Sequence, residues 1–189
     1  MNNICSSCGQ GTLSPRMTSS PFMIIKEVVT NNELESGTVF VQKGKNQNGY
    51  EENTSSYYLN RELGMQGLQL SSFSQSCLFM HHIHKGGRTK EGKEVEQGCI
   101  DYSIGELIKI AQNKKIIFMM GAKTINLFTG YNASDVYGLV CKSELLPEVP
   151  VIIPSTNSDK IMKMPIGEMR NSIAVLAEQI KIYKQYQGD

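Results

Sequence analysis

Cys5 and Cys8 stand two residues apart near the start of the chain. At that spacing a pair of thiolates can grip one metal ion, or the two can remain simple thiols. Three histidines, His81, His82 and His84, crowd the end of an apolar run. In an extended segment successive side chains point to opposite faces, so His82 and His84 share a face and His81 does not. That makes a poor zinc site and a better polar edge facing a ligand such as DNA. Lys85, Arg88, Lys90 and Lys93 follow within one glycine-rich stretch, with Glu91, Glu94 and Glu96 gathered mainly in its far half. Beside a site-forming strand such a stretch suits contact with phosphates, and the plainer alternative is a solvated loop.

Composition bounds what these groups can serve. A chain of 189 residues suits one domain, spanning 1–189, with a core of its own. A net charge of +1 excludes a globally basic protein, so any surface for nucleic acid must be local. The five cysteines are an odd number, and residues 1–5 have neither the charged nor the apolar region of a secretory signal. Both features point to thiols or metal ligands in a reducing, cytoplasmic compartment rather than to a disulfide framework. No apolar run approaches the ~18 residues of a membrane span.

Alternating strands and helices must position these groups. Residues 1–21 read as an irregular, cysteine-containing leader, and residues 22–29 as a short apolar segment of either type. The β-branched stretch 38–43, bounded by Gly37 and Gly44, predicts the first strand; 76–83, 115–120 and 149–153 predict three more. Thr54 or Ser55 caps a helix that ends at Gly64, with Leu59 and Leu63 on one face. Residues 85–97 read as a loop, and Ser103 with Glu106 forms a capping box that opens a helix through Gln112. Further helices are predicted over 122–128 and 166–186, where Met169, Ile173, Leu176, Ile180 and Tyr183 repeat at spacings of four and three. Such alternation predicts a three-layer α/β/α sandwich around a central four-stranded parallel sheet. Ligands on such sheets bind beyond the carboxyl ends of the strands, so the segments after Lys43, Ile83, Met120 and Ile153 are the ones expected to carry function.

In order and spacing those segments resemble the iron–sulfur type of uracil-DNA glycosylase over nearly the whole chain. Cys5 and Cys8, with Leu13 and Arg16 after them, are similar to that family's opening C-x-x-C-x-L-x-x-x-R. The run from Leu78 to Lys85 resembles its strand ending Thr-Asn-Val-Val-Lys, and Glu94 to Cys99 its acidic approach to a third cysteine. Ile116 to Ala122 is similar to its strand ending Leu-Gly-x-x-Ala, and Val151 to Ser155 to its strand ending His-Pro-Ser. The departures fall at the chemistry. Lys43 stands where the resemblance expects an acidic residue, or, in a second register, Gly44-Lys45-Asn46 supplies Asn46 to position water. Ile153 stands where His or Asn is expected, and His82 replaces the Asn that reads the uracil edge.

The resemblance therefore implies a set of roles. Asn46 is the catalytic candidate. His82, Tyr57 and Tyr50 are candidates for base binding, since relatives stack an aromatic on the flipped base. Lys43, Lys45, Lys85, Arg88, Lys90, Pro154 and Ser155 are candidates for holding DNA. Cys5, Cys8 and Cys99 match three of the four thiolates of an iron–sulfur cluster. The fourth is expected near Lys115, where no cysteine stands, which leaves Cys77 or Cys141 as substitutes. The alternatives are a vestigial or incomplete iron–sulfur site and plain leftover thiols. Ile153 offers no hydrogen bond to a departing base, so the implied function is DNA binding with weak or absent catalysis, as a base-reading factor or an accessory to a DNA polymerase or other replication protein. An active glycosylase using Asn46 and a protein-interaction module that kept the fold are the alternatives. Reversing charge at Lys85, Arg88 and Lys90 is expected to flatten the salt dependence of DNA binding, by a slope of about 0.9 for each phosphate no longer neutralised. A titration series in increasing salt measures it, and an unchanged slope marks the stretch as solvated surface.

Overall fold

The computed structural model of the protein describes residues 4–40, 50, 54–79, 90–157 and 167–187, and of residues 90–93 the backbone alone. Four strands form its central sheet: β1 (Phe22–Val28), β2 (Ser74–Phe79), β3 (Ile116–Met120) and β4 (Val151–Ser155). All pairings are parallel, in the order β2-β1-β3-β4. Parallel neighbours need crossover connections, and helices supply them. These are α1 (Asn31–Ser36), α2 (Ser55–Gly64), α3 (Lys90–Ala111), α4 (Ala122–Thr129), α5 (Ala133–Val136) and α6 (Gly167–Gln187).

Both faces of the sheet are covered, as the continuous apolar runs of β1 and β3 require. On one face Met23, Ile25, Ile117, Met119 and Ile152 pack with Leu107 and Ala111 of α3, Ile125 and Phe128 of α4 and Val136 of α5. On the other face Ile24, Phe118, Met120 and Ile153 pack with Leu59 and Leu63 of α2 and with Met169, Ile173, Leu176 and Ile180 of α6. The three-layer α/β/α sandwich with a four-stranded parallel sheet is thus the observed architecture. Both outer strands carry one further antiparallel bridge. Arg16 of the leader exchanges both backbone hydrogen bonds with Gln75 of β2, and Cys141 does the same with Ile152 of β4.

The first strand is not where the sequence pattern predicts it. Residues 38–40 are turn and bend, residues 41–43 lie outside the described residues, and the strand is the 22–28 segment. Gly37 closes α1 in the left-handed conformation and Phe40 is also left-handed (φ 57°), so the described part of this stretch, residues 38–40, is not a strand. What obscures the true strand is Lys26, a charge in an apolar run. Lys26 is nonetheless buried (3% exposed), because both carboxylate oxygens of Glu33 accept from its Nζ at 2.6 Å. Glu33 also accepts from the Thr30 amide and hydroxyl and from the Phe40 amide, so the buried carboxylate is fully engaged.

A second correction concerns α3. The described part of the expected loop, residues 90–97, and the capping box lie inside one continuous helix, and Ser103 is a fully buried mid-helix residue rather than a cap. The glycines of this stretch are the reason: Gly98 serves close packing rather than helix termination, since a Cβ there would meet Ser7 Oγ at 2.8 Å. Of the other helices, α2, α4 and α6 fall within a few residues of expectation, with Thr54 capping α2 through the Tyr57 amide, whereas α1 and α5 are not among those expected.

Glu62 of α2 ties that helix to α6. Its carboxylate accepts from Arg61 Nη2 and Arg170 Nε, both at 2.7 Å. Burial pushes its pKa up, but the Arg170 and Arg61 guanidiniums outweigh this and hold it below the ordinary value. A lowered folded pKa gives stability that is full above the unfolded value of about 4.3 and is lost as pH falls through the folded one. Glu62→Gln is therefore expected to lower the urea midpoint at pH 7, with the difference from the unaltered protein shrinking to nothing in acid. A pH-independent difference would show that the pair's charge contributes nothing.

Candidate functional site

The sheet order reverses beside β1: the chain leaves β1 to reach β2 on one side and later β3 on the other. Such a switch point, at the carboxyl ends of the strands, is where open α/β sheets form a crevice. Glu27 of β1 stands there. Its Oε2 accepts from the Lys123 amide in the first turn of α4 at 2.8 Å, which satisfies an otherwise orphan helix amide and fixes the carboxylate. Gly121, between β3 and α4, makes this approach possible. Its φ is 102°, and a Cβ on it would meet Glu27 Cβ at 2.4 Å. Lys123 Nζ pairs with Glu96 of α3. Tyr137, after α5, is half-buried; burial and the charges of Glu168 and Glu27 push its phenol pKa up. At the end of β4, Ser155 is fully buried and its hydroxyl has no hydrogen-bond partner among the described residues.

The relocation of β1 overturns the register that put Lys43 or Asn46 at the first strand's carboxyl end. The acidic group at that end is Glu27. Lys43, Lys45, Asn46, His82, Lys85 and Arg88 lie outside the described residues, and Lys90 opens α3 with its side chain outside them. Pro154 and Ser155 do end β4, and both are buried. Ile153 is fully buried in the layer beneath α6. Tyr57 lies in the first turn of α2 with its ring edge-on to Tyr58 at 5.5 Å, and Tyr50 is half-buried against the α2/α6 layer. Sequence reasoning missed Glu27 and Tyr137. Glu27 was findable, as the acid closing an apolar run of strand length, once Lys26 is allowed to be buried by pairing.

The cysteines do converge. The sulfurs of Cys5, Cys8 and Cys99 lie within 4.8 Å of one another, with Cys5 Sγ 3.8 Å from Cys99 Sγ. Burial opposes ionisation of Cys5, but the amides of Ser7 and Cys8 and the thiols of Cys8 and Cys99 outweigh it and hold its pKa below the ordinary value. Burial and the two neighbouring cysteines push Cys99 up to about 12. Neither expected substitute completes the set. Cys77 belongs to the opposite core layer, where burial pushes it up to about 12, and Cys141 is engaged with β4. Among the described residues no fourth Cys, His, Asp or Glu joins the three.

A separate cavity of about 1140 Å³ opens near the amino end of β4, between Phe128, Tyr131, Leu139, Val140, Leu145 and Pro150. Cys141, Lys142 and Glu144 also line it, but it lies by the amino end of β4 rather than at the strand carboxyl ends, so the switch point is the better candidate.

Fold and site together define an α/β protein with a doubly covered parallel sheet and an acidic group at its switch point. No protein-family model matches the chain, and no curated protein matches it. Among the described residues no helix is long and apolar enough to cross a membrane.

The Gly121–Glu27 approach is testable. Gly121→Ala is expected to cost more than about 1 kcal/mol in urea unfolding, from backbone strain and the clash together. In a double-mutant cycle Glu27→Gly should recover the clash but not the strain. Strict additivity would show that the two residues do not press on each other.

Proposed function

We propose that the chain is a DNA-binding protein of uracil-DNA glycosylase type that receives a base at the carboxyl edge of its sheet and cleaves it weakly or not at all, as a base-reading or accessory factor in replication or repair. The observation that carries this is the carboxylate of Glu27, held at the switch point by the Lys123 amide, while the β4 position where the resemblance expects a donor is Ile153, buried on the opposite, α2/α6 face of the sheet. N-glycosidic cleavage needs a positioned water and donors for the charge on the departing base, and loss of one such donor typically costs ~10²–10³ in rate. Glu27 can serve the first requirement, and Ile153 cannot serve the second.

Glu27 also favours a second reading, an active glycosylase in which this carboxylate, rather than Asn46, orients or deprotonates water. A uracil-release assay on single- and double-stranded DNA, run beside a binding titration, separates the two. The expected result is binding with slow release, and loss of any residual release in Glu27→Gln by about 10²-fold or more with affinity retained. Rapid release by the unaltered protein selects the enzyme. Neither binding nor release overturns both.

A further inference from the structure

The cysteine centre does not fit the group that the resemblance implies. In a four-iron cubane each cysteine sits on its own iron, so the thiolate sulfurs stand about 6 Å apart, and four are wanted. Here there are three, all within 4.8 Å of one another. Thiolates on a single tetrahedral ion with bonds of about 2.3 Å lie about 3.8 Å apart along each edge. The Cys5–Cys99 separation is 3.8 Å.

The backbone is built to the same pattern. Cys5 and Cys8 flank a tight turn closed by a Gly9 amide to Cys5 carbonyl hydrogen bond of 2.8 Å, with Gly9 left-handed at φ 70°. The Cys5 amide donates to the Gln10 carbonyl, and Ile4 bridges Gly11, so the turn is the tip of a short hairpin. Within it the amides of Ser7 and Cys8 donate to the Cys5 sulfur, the arrangement that stabilises a thiolate held on a metal. The hairpin then presses on α3 at Gly98, the residue preceding Cys99, where a Cβ would strike Ser7. The hairpin and the helix thus approach closely enough to bring three sulfurs to one point.

We infer that Cys5, Cys8 and Cys99 bind one thiophilic metal ion, zinc(II) by preference, as three thiolates. Binding releases up to three protons, one from each thiol, and leaves an anionic tris-thiolate zinc centre. The inference is independent of the DNA reading, since it rests on the leader and α3 and not on the strand ends.

The test uses the full chain, purified without oxygen. Metal analysis is expected to find one zinc per chain and no stoichiometric iron or inorganic sulfide. Cobalt(II) added to the metal-free protein should produce a thiolate-to-cobalt charge-transfer band with intense visible bands of tetrahedral geometry, abolished by one equivalent of zinc. Cys99→Ser should weaken zinc binding more than about tenfold, whereas Cys77→Ala, on the other face of the sheet, should leave the cobalt spectrum unchanged. If Cys99→Ser does not fold, the metal content and cobalt spectrum of the unaltered chain still decide. Several irons with matching sulfide would overturn the inference in favour of a cluster. Thiols that titrate freely in the presence of zinc, or a disulfide among the three, would overturn it in favour of plain cysteines.

Discussion

The buried pair of Lys26 and Glu33 is the interaction on which the rest of the molecule turns. An ammonium group taken out of water without a partner costs several kcal/mol, which no central strand can carry. Here the charge is met by both oxygens of a carboxylate that is itself held by Thr30 and Phe40. Three consequences follow from this one ion pair. β1 can occupy the middle of the sheet, α1 is clamped against it, and the chain is bent at Phe40. Because side chains alternate along a strand, committing Lys26 to the α2/α6 side sends Glu27 to the α4 side. The site's carboxylate owes its direction to its neighbour's burial.

The same interaction explains what the sequence could and could not tell. The architecture was legible because β3 and α6 announce themselves: five consecutive apolar residues in one, a stripe at spacings of three and four in the other. The position of β1 was not, because hydrophobic patterning treats a lysine as an interruption and cannot see a glutamate seven residues on that neutralises it. With β1 displaced, the register of the first motif goes with it, and Lys43 and Asn46 stand out rather than Glu27. The glycines fail differently. Gly98 has the pattern of a loop former, whereas its lack of a side chain serves a neighbour in space. Local pattern does not distinguish a glycine that bends its own chain from one that admits another.

That distinction links the two candidate sites. At Gly121 the missing side chain lets a carboxylate reach the first turn of α4, and at Gly98 it lets the cysteine hairpin settle on α3. In both places chemistry is assembled by close approach of backbone to side chain rather than by a deep pocket. Both lie on the α3/α4 side of the sheet, while the α2/α6 side is given over to packing, with Cys77 and Ile153 among its buried residues.

The two bridges on the outer strands have a bearing on the protein in company rather than alone. An open parallel sheet ends in two strands whose outer amides and carbonyls invite pairing with another chain. Arg16 occupies that position on β2 and Cys141 on β4, each with a reciprocal pair of backbone hydrogen bonds. The irregular leader is therefore also a guard: a chain cut back to the start of β1 would offer the bare edge of β2 to its neighbours.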